Sequence, residues 1–175
     1  TVRTEESPLN PVSLYGQTKV NAENAYRNAI RKNCITFRLA TVFGPSSRMR
    51  TDLLVNNFVL RALRDRVLVL YECEFMRNYV HLADVCRALK YVIDNWDECK
   101  NETYNMGNDA LNMNKLDLAE KIQTHIPALQ IMHAEFNSDP DIRDYIVSSQ
   151  KFYNKGFGCK GDLDDGIKQL VKAYA

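Results

Sequence analysis

The 175-residue sequence predicts an α/β fold with a mostly parallel sheet. Helix-like and strand-like patterns alternate along the whole chain, which is typical of parallel strands joined by helices. The run CITFRLATVF is apolar and rich in β-branched residues, as a buried parallel strand is. The composition, 45% hydrophobic and 26% charged, is that of an ordinary globular domain.

In the first part of the chain, residues 1–10 are polar and should be extended, and a helix is predicted over 12–32. Its apolar stripe would comprise Val20, Ala22, Ala25, Ala29 and Ile30. The apolar run at 34–43 predicts one buried strand, which Gly-Pro-Ser-Ser then ends as a turn. A helix over 52–64 and a short strand over 67–71 follow.

The middle of the chain predicts an extended piece at 79–82 and then a helix over 85–95 that Asp84 caps. The face of this helix would comprise Val85, Leu89, Val92 and Ile93. A strand over 103–107 enters a glycine turn. A helix over 115–126 begins after the capping residue Asn114 and stops at a proline.

The last part predicts strand-like pieces at 131–136 and 145–147, then a short helix over 150–154. A final helix over 166–174 should begin from the acidic residues 162–165.

The charge and cysteine pattern excludes several function classes. The net charge of +1 provides no electrostatic footprint for nucleic acid or for an acidic membrane surface, and no apolar run is long enough to span a bilayer. The five cysteines form no C-x-x-C motif, so we expect a reducing cytoplasm without disulfides, with Cys34 and Cys86 buried. The three histidines have no metal-ligand spacing, so no metal is expected.

Tyr15 and Lys19 form the most informative motif. Their spacing of four residues places both side chains on one face of a helix, one turn apart. A lysine ammonium beside a phenol lowers the phenol pKa from about 10 toward the working pH. Such a phenol can exchange a proton with a sugar or alcohol hydroxyl, and the lysine can hold ribose hydroxyls of a dinucleotide. The pair predicts acid–base chemistry coupled to hydride transfer, whereas the spacing alone also fits a solvated helix face.

Three segments resemble the extended short-chain dehydrogenase/reductases, the NAD-dependent epimerase/dehydratases that act on nucleotide sugars. PVSLYGQTK, followed by Glu23, is similar to the tyrosine–lysine helix of the family. FRLATVFGP is similar to the strand and Gly-Pro turn that come next, and MRNYVHLADVCRA is similar to a third family segment. The three occur in the family's order and spacing across nearly the whole chain.

The resemblance implies the C-terminal part of a Rossmann-like parallel sheet plus a small α/β substrate-binding domain. Residues 1–45 would be the remaining part of the NAD-binding domain, and 46–175 mostly the substrate-binding domain, with 79–107 returning to the Rossmann-like sheet. The chain contains no glycine-rich turn for the dinucleotide pyrophosphate, so we expect that turn, and the family's first strands, upstream of Thr1.

For the cofactor, the resemblance implies NAD, with NADP not excluded. Tyr15 would be the proton-transfer residue, and Lys19 would hold the nicotinamide ribose and bias the tyrosine. Ala40 and Thr41 would lie at the positions where members of the family contact the nicotinamide and the substrate phosphate. Many members carry Asn at the position of Thr41, whose hydroxyl reaches less far.

For the substrate, the resemblance implies a nucleotide-diphosphate sugar. Arg77 and Arg143 would bind the diphosphate, since a guanidinium binds phosphate oxygens in a bidentate way. Both arginines could instead form ion pairs, Arg143 with the aspartates around it. The strand over 67–71 would lie along the nucleotide base. The residues implied in substrate binding are Thr41, Asn57, Leu68, Leu70, Arg77 and Arg143. His81 is expected to satisfy a backbone group instead of acting in catalysis.

The function implied for the complete protein is oxidation at a sugar hydroxyl by hydride transfer to NAD, in surface-polysaccharide sugar synthesis. Such a protein would be a homodimer with no nucleic-acid or membrane partner. Two alternatives remain at this point: a non-catalytic dinucleotide-sensing or interaction protein of the same fold, or an inactive fragment.

Overall fold

A computed structural model of the chain describes residues 1–29, 33–134 and 144–175. The helices are α1 Leu14–Ala29, α2 Leu54–Arg64, α3 Leu82–Asp94, α4 Trp96–Cys99, α5 Lys115–His125, α6 Gln150–Tyr153 and α7 Leu163–Tyr174. The strands are β1 Val2–Arg3, β2 Ile35–Leu39, β3 Thr41–Phe43, β4 Val67–Leu70, β5 Arg77–His81, β6 Glu102–Met106, β7 Asn112–Met113, β8 Gln130–His133 and β9 Ile146–Val147. A short 3-10 turn covers Asp109–Leu111.

Most strand pairs run parallel, which confirms the predicted fold class. β1 pairs with β9, β2 with β6, β3 with β5, and β4 with β8, all in parallel. Within the described residues the antiparallel pair is β5 with β7. The helices between these strands provide the crossover connections that parallel pairing requires.

The prediction of one strand over 34–43 is wrong, because the chain changes its pairing partner within that run. β2 lies beside β6, whereas β3 lies beside β5, and Ala40 separates them. The backbone N–H of Ala40 still donates to the carbonyl of Met106 at 3.0 Å. A continuous apolar run fixes extended backbone but carries no information about which neighbour each half will choose.

α3 begins three residues earlier than predicted, and its capping residue is His81 and not Asp84. The Nδ1 atom of His81 accepts a hydrogen bond from the backbone N–H of Ala83 at 3.2 Å, as expected for a histidine that satisfies a backbone group. Asp84 lies in the first turn and accepts hydrogen bonds from the distant backbone N–H groups of Lys160 and Gly161. On the predicted apolar face, Leu89 and Ile93 are exposed, and the buried members are Val85 and Val92.

The start of α5 follows the predicted cap, because Asn114 accepts from the N–H of Asp117 at 2.8 Å. α7 begins at Leu163, inside the predicted acidic stretch and three residues before the predicted 166, and Asp162 caps it by accepting from the N–H of Asp164 at 3.2 Å. The sequence patterns missed α4, β1, β7 and the 3-10 turn, which are two to four residues long. Elements this short depend on their neighbours more than on any periodicity of their own.

Apolar side chains form two cores. The first core, built mainly from α2, α5, α7 and β4, comprises Phe43, Val55, Phe58, Val59, Ala62, Leu68, Leu70, Tyr79, Leu111, Leu118, Ala119, Ile122, Ile126, Leu129, Leu163, Ile167 and Leu170. The second core, built mainly from α3, β6 and α6, comprises Val80, Val85, Ala88, Val92, Cys99, Tyr104, Met106, Phe152 and Phe157. β5 lies between them, because Tyr79 belongs to the first core and the next residue, Val80, to the second.

α1 differs from the other long helices because it buries no residue. The expected apolar stripe is therefore not covered: Ala22, Ala25 and Ala29 are exposed, and Ile30 lies outside the described residues. The prediction that Cys34 and Cys86 are buried is also wrong, since Cys86 is exposed and Cys34 is partly exposed. No helix in the described parts of the chain has the length and apolar character needed to cross a membrane.

Candidate active site

Tyr15 and Lys19 lie in the first turns of α1. The hydroxyl oxygen of Ser13 accepts a hydrogen bond from the backbone N–H of Gly16 at 3.1 Å, which satisfies one of the free N–H groups at the helix start. Nζ of Lys19 lies 5.2 Å from the centre of the Tyr15 ring, within the range of a cation–π contact. Tyr15 is 71% exposed, so its phenol is open to a bound molecule. The two side chains share one helix face, as their spacing predicts.

Arg50 and Asp52 form an ion pair on the loop before α2, which the sequence analysis did not foresee. Arg50 donates two hydrogen bonds to Asp52, of 2.7 and 2.6 Å, on an exposed loop. This contact raises the pKa of Arg50, to which a charge interaction with Tyr15 adds a smaller part. The same contact lowers the pKa of Asp52 to about 2.

Farther along α1, Glu23 joins the helix to the neighbouring strand. Nε and Nη2 of Arg38, on β2, donate to the two carboxylate oxygens of Glu23 at 3.0 and 2.7 Å. Chiefly because of the hydrogen bond from Arg38, the pKa of Glu23 is lowered, although burial opposes the change. This contact connects the Tyr15 helix directly to the strand that ends at Ala40.

Ala40 and Thr41 lie where β2 ends and β3 begins. Ala40 is partly buried and closely approaches Gly107, since a side-chain carbon added at Gly107 would lie 3.1 Å from Cβ of Ala40. Thr41 is opposite Tyr79 in the register of β3 with β5. Ala40 thus belongs to the carboxyl end of β2, where ligands of parallel sheets bind.

Arg77 and Thr41 share one face of the β3–β5 pair. Side chains alternate along a strand, so Arg77 and Tyr79 project to the same side, and Thr41 pairs with Tyr79. Burial raises the pKa of Tyr79, and the positive charge of Arg77 partly opposes that change, which indicates that the two side chains interact. Arg77 and Thr41, two of the predicted substrate residues, therefore both lie next to Tyr79 on the same side of the two strands.

Asn57 and its neighbour Asn56 occupy the first turn of α2. The side chain of Asn57 donates to the carbonyl of Thr51 at 3.0 Å, so its amide N–H is engaged within the loop. Asn56 is buried, accepts from the N–H of Gly44 at 3.1 Å and donates to the carbonyl of Arg50 at 3.1 Å. Asn56 therefore holds the Gly-Pro turn and the Arg50 loop together, a role that the sequence did not indicate.

Leu68 and Leu70 direct their side chains into the first core, so only their backbone could meet a ligand. The carbonyl of Leu70 accepts from the N–H of Ala134 at 3.0 Å, beyond the end of β8. Because hydrogen bonding alternates along a strand, the backbone groups of Leu68 also point toward β8. Those of Val69 point to the opposite side.

Arg143 lies outside the described residues. The next residue along the chain, Asp144, accepts a hydrogen bond from the N–H of Met76 at 2.9 Å, and the N–H of Tyr145 donates to the carbonyl of Met76 at 3.4 Å. The chain that follows Arg143 therefore returns beside Arg77.

A polar network at the carboxyl end of β6 was also missed. The hydroxyl of Tyr153 donates to the carbonyl of Gly107 at 2.9 Å, and Ser149 accepts from the N–H of Gly107 at 3.0 Å. Asp109 in turn accepts from the N–H of Ser149 at 2.8 Å. These contacts join residues about forty apart in sequence, so no local pattern could have shown them. In the parts of the chain that the structure describes, no cluster of three or more His, Cys, Asp or Glu is placed to hold a metal.

The parallel α/β fold and the exposed Tyr–Lys pair on one helix face are features of short-chain dehydrogenase/reductases. Comparison with known families makes the assignment specific, since residues 1–107 match the NAD dependent epimerase/dehydratase family. The chain belongs to this family. The sequence prediction of an NAD-dependent family is thereby confirmed.

Individual relatives agree with this assignment. The low-salt glycan biosynthesis protein Agl12 of Haloferax volcanii is 28% identical over 177 residues, covering 98% of this chain and 55% of that protein. Among solved structures, dTDP-glucose 4,6-dehydratase of Bacillus anthracis in complex with NAD superposes with a TM-score of 0.82 at 25% identity, over 99% of this chain and 56% of that one. UDP-glucose 4-epimerase of Thermotoga maritima with UDP-glucose gives a TM-score of 0.81 at 24% identity, over 94% and 54%. The chain thus spans about half the length of these relatives.

Proposed function

We propose that this chain provides the Tyr–Lys pair and the sugar-binding part of an NAD-dependent enzyme that epimerises or dehydrates a nucleotide-diphosphate sugar. The observation that carries the proposal is the contact of Lys19 with the ring of Tyr15, 5.2 Å from Nζ to the ring centre, on an exposed helix face in a member of this family. An exposed phenol beside an ammonium is suited to proton transfer with a bound alcohol.

The residues present fit the nicotinamide end of a dinucleotide. Tyr15 and Lys19 are both exposed, so neither is covered by core side chains. Lys19 would donate to ribose hydroxyls, and the small side chain of Ala40 would leave room beside the carboxyl end of β2. When bound, NAD supplies the acceptor for a hydride from the sugar.

The residues of this chain hold and move the proton. Tyr15, as a phenolate, would accept the sugar hydroxyl proton at its Oη atom, and would return it when the carbonyl is reduced again. Lys19 keeps its ammonium against the Tyr15 ring, with Nζ 5.2 Å from the ring centre. The charge interaction between Arg50 and Tyr15 supports a further role for Arg50 at this site.

We assign substrate binding to the face of the β3–β5 pair. Arg77 would bind the diphosphate and Thr41 a phosphate oxygen, which is supported by their place on one face of the two strands. Arg143 would be a second diphosphate ligand, supported by the return of Asp144 to Met76. Asn57 would contribute its amide oxygen or the second N–H of its amide nitrogen, because one N–H already donates to the carbonyl of Thr51.

The nucleotide base would lie along β4. The predicted contacts at Leu68 and Leu70 would need their backbone, which faces β8, so the backbone of Val69 offers the better alternative. The likeness to a glycan biosynthesis protein supports a role in making sugars for surface polysaccharides.

The test uses the natural polypeptide that contains this chain, at its full genomic length, numbered as here. Tyr15→Phe removes the hydroxyl that exchanges the proton, and we expect turnover to fall by about 10²- to 10⁴-fold. Purified protein is incubated with NAD and a panel comprising UDP-glucose, dTDP-glucose and GDP-mannose, and products are separated by chromatography. Binding of each sugar nucleotide, measured by calorimetry, should be nearly unchanged.

Tyr26→Phe is the matched control, because Tyr26 is an exposed tyrosine on the same helix. It should keep full turnover. Equal turnover by Tyr15→Phe and the unmodified protein would refute the catalytic role. Absence of NAD binding to the unmodified protein would instead favour an interaction protein of the same fold.

A further inference from the structure

The Tyr15 helix is joined to the sheet of this chain by a charged contact. α1 buries no residue within residues 1–175, whereas α2, α3, α5 and α7 each bury at least three. This chain spans about half the length of its relatives, so the exposure of α1 describes this segment and not the complete polypeptide. A catalytic side chain must be held within a fraction of an ångström to work well, and a contact with α1 inside this segment can contribute to that placement.

Arg38 makes that contact. Its guanidinium donates to both carboxylate oxygens of Glu23, at 3.0 and 2.7 Å, in the paired geometry that fixes orientation as well as distance. The Glu23 side chain is only 9% exposed and that of Arg38 22%, so the pair is largely shielded from water. By contrast, Arg27 approaches Glu23 at 3.9 Å from a well-exposed position and adds little.

The same guanidinium reaches a second segment. Nη1 of Arg38 donates to the carbonyl of Glu5 at 2.9 Å, and the carboxylate of Glu5 accepts from the N–H of Asn105, on β6, at 2.7 Å. Asn105 in turn donates to the carbonyl of Ser148 at 3.0 Å. One side chain on β2 thus connects α1, the segment before it and β6.

We propose that Arg38 is a positioning residue that orients the Tyr15 helix through Glu23, a role that rests on the proposed function. Glu23 is four residues after Lys19 and eight after Tyr15, so the three side chains lie toward one side of the helix. Holding Glu23 at two atoms limits both rotation and sliding of α1. Arg38 itself touches no reacting atom and acts only through the placement of Tyr15 and Lys19.

The first test measures the placement of α1 without cofactor or substrate. Hydrogen–deuterium exchange is followed by mass spectrometry in the full-length natural polypeptide and its Arg38→Ala variant. We expect peptides from α1 to exchange about tenfold faster or more in the variant, because the helix loses its charged hydrogen bonds, while α5 peptides stay protected.

Arg87→Ala is the matched control. Arg87 also holds a mostly buried carboxylate, Asp84, but on α3 and away from α1. This control should raise exchange in α3 peptides and leave α1 unchanged. Unchanged exchange of α1 in Arg38→Ala would overturn the proposal.

The second test measures catalysis with the substrate that the sugar-nucleotide panel identifies. Arg38→Lys keeps the charge but cannot make two parallel N–H bonds. We expect kcat to fall by about 10- to 100-fold with KM for the sugar nucleotide nearly unchanged, because the diphosphate residues lie elsewhere. Arg87→Ala should keep its kcat. The double variant Glu23→Arg, Arg38→Glu, in which the two charged residues are exchanged, should recover part of the kcat that Arg38→Lys loses.

The outcomes separate the two proposals. If Tyr15→Phe abolishes turnover while Arg38→Lys retains full kcat, the positioning role is wrong and the proposed function stands. If both variants retain turnover, the proposed function fails and the positioning role fails with it. If Arg38→Ala does not fold, Arg38→Lys and the double variant Glu23→Arg, Arg38→Glu test the positioning role instead. Both of these variants keep opposite charges at positions 23 and 38.

Discussion

The two helices nearest the candidate site are held in opposite ways. α2 carries Asn57 and packs its apolar face into the first core, where Val55, Phe58, Val59 and Ala62 are buried. α1 carries Tyr15 and Lys19, buries no residue and meets its strand through the Glu23–Arg38 pair. Within this chain, which spans about half the length of its relatives, the helix assigned to substrate binding is held by apolar packing, and the helix assigned to chemistry meets its strand through a charged pair.

This difference has a physical basis. Apolar burial is strong and non-directional, so it fixes a helix into a core but tolerates small shifts. A bidentate ion pair contributes less to stability and specifies geometry more narrowly. An exposed helix face also leaves the phenol open to its substrate. Substitutions of the apolar residues of α2 should therefore act mainly on stability, and substitutions of the Glu23–Arg38 pair should act on both stability and chemistry.

The largest effect should come from a charge placed in the first core. Val59→Asp puts a carboxylate at a position that is 0% exposed, among the apolar side chains of the first core. We expect the free energy of unfolding to fall by about 4 kcal/mol or more, enough to prevent folding of many domains. The free energy of unfolding is measured by urea unfolding followed by circular dichroism.

The matched change on α1 is Ala25→Asp, at a position in the middle of that helix that is exposed in residues 1–175, and both changes are compared in the polypeptide of this length. It should cost less than about 1 kcal/mol, mostly from helix propensity. If both changes destabilised the protein equally, the contrast between the two helices would be wrong.

A smaller effect should appear in the dependence of stability on pH. For Asp84, burial alone would raise the pKa, but the hydrogen bonds from Arg87, Lys160 and Gly161 outweigh it, so the pKa is lowered. The pKa of Glu23 is lowered chiefly by Arg38. When a carboxyl group has a lower pKa in the folded chain than in the unfolded chain, the unfolded chain binds more protons than the folded chain in acid. The stability that each carboxylate adds is therefore present at neutral pH and is lost as the pH falls below about 4.

Asp84→Asn and Glu23→Gln test this in urea titrations between neutral and acidic pH. At neutral pH we expect losses of about 3 kcal/mol for Asp84→Asn and about 2 kcal/mol for Glu23→Gln. Both variants should lose less stability on acidification than the unmodified protein. Parallel pH curves for variant and parent would show that these carboxylates do not set the acid sensitivity.

The smallest effect on stability should come from the Arg50–Asp52 pair. Both side chains are well exposed, so Arg50→Ala should leave the free energy of unfolding nearly unchanged. Turnover should fall about threefold to tenfold, because the charge interaction between Arg50 and Tyr15 is removed. Arg61→Ala, which removes another exposed arginine–aspartate pair, should leave turnover unchanged. Equal turnover in both variants would remove Arg50 from the site.

The sequence alone predicted the features that depend on neighbours along the chain. Alternating apolar patterns indicated the α/β class, and Asn114 marked the start of α5, because a cap bonds to N–H groups two or three residues away. The Tyr15–Lys19 pair was equally accessible, since helical geometry alone brings residues four apart onto one face.

Tertiary structure decided what depends on distant partners. The run at 34–43 divides at Ala40 because its halves lie beside β6 and β5. Asp84 does not cap α3 because its carboxylate accepts from Lys160 and Gly161, more than seventy residues away. The Glu23–Arg38 contact likewise joins residues that no short-range pattern relates. Backbone geometry is encoded locally, whereas pairing and burial arise only when remote segments compete for the same partners.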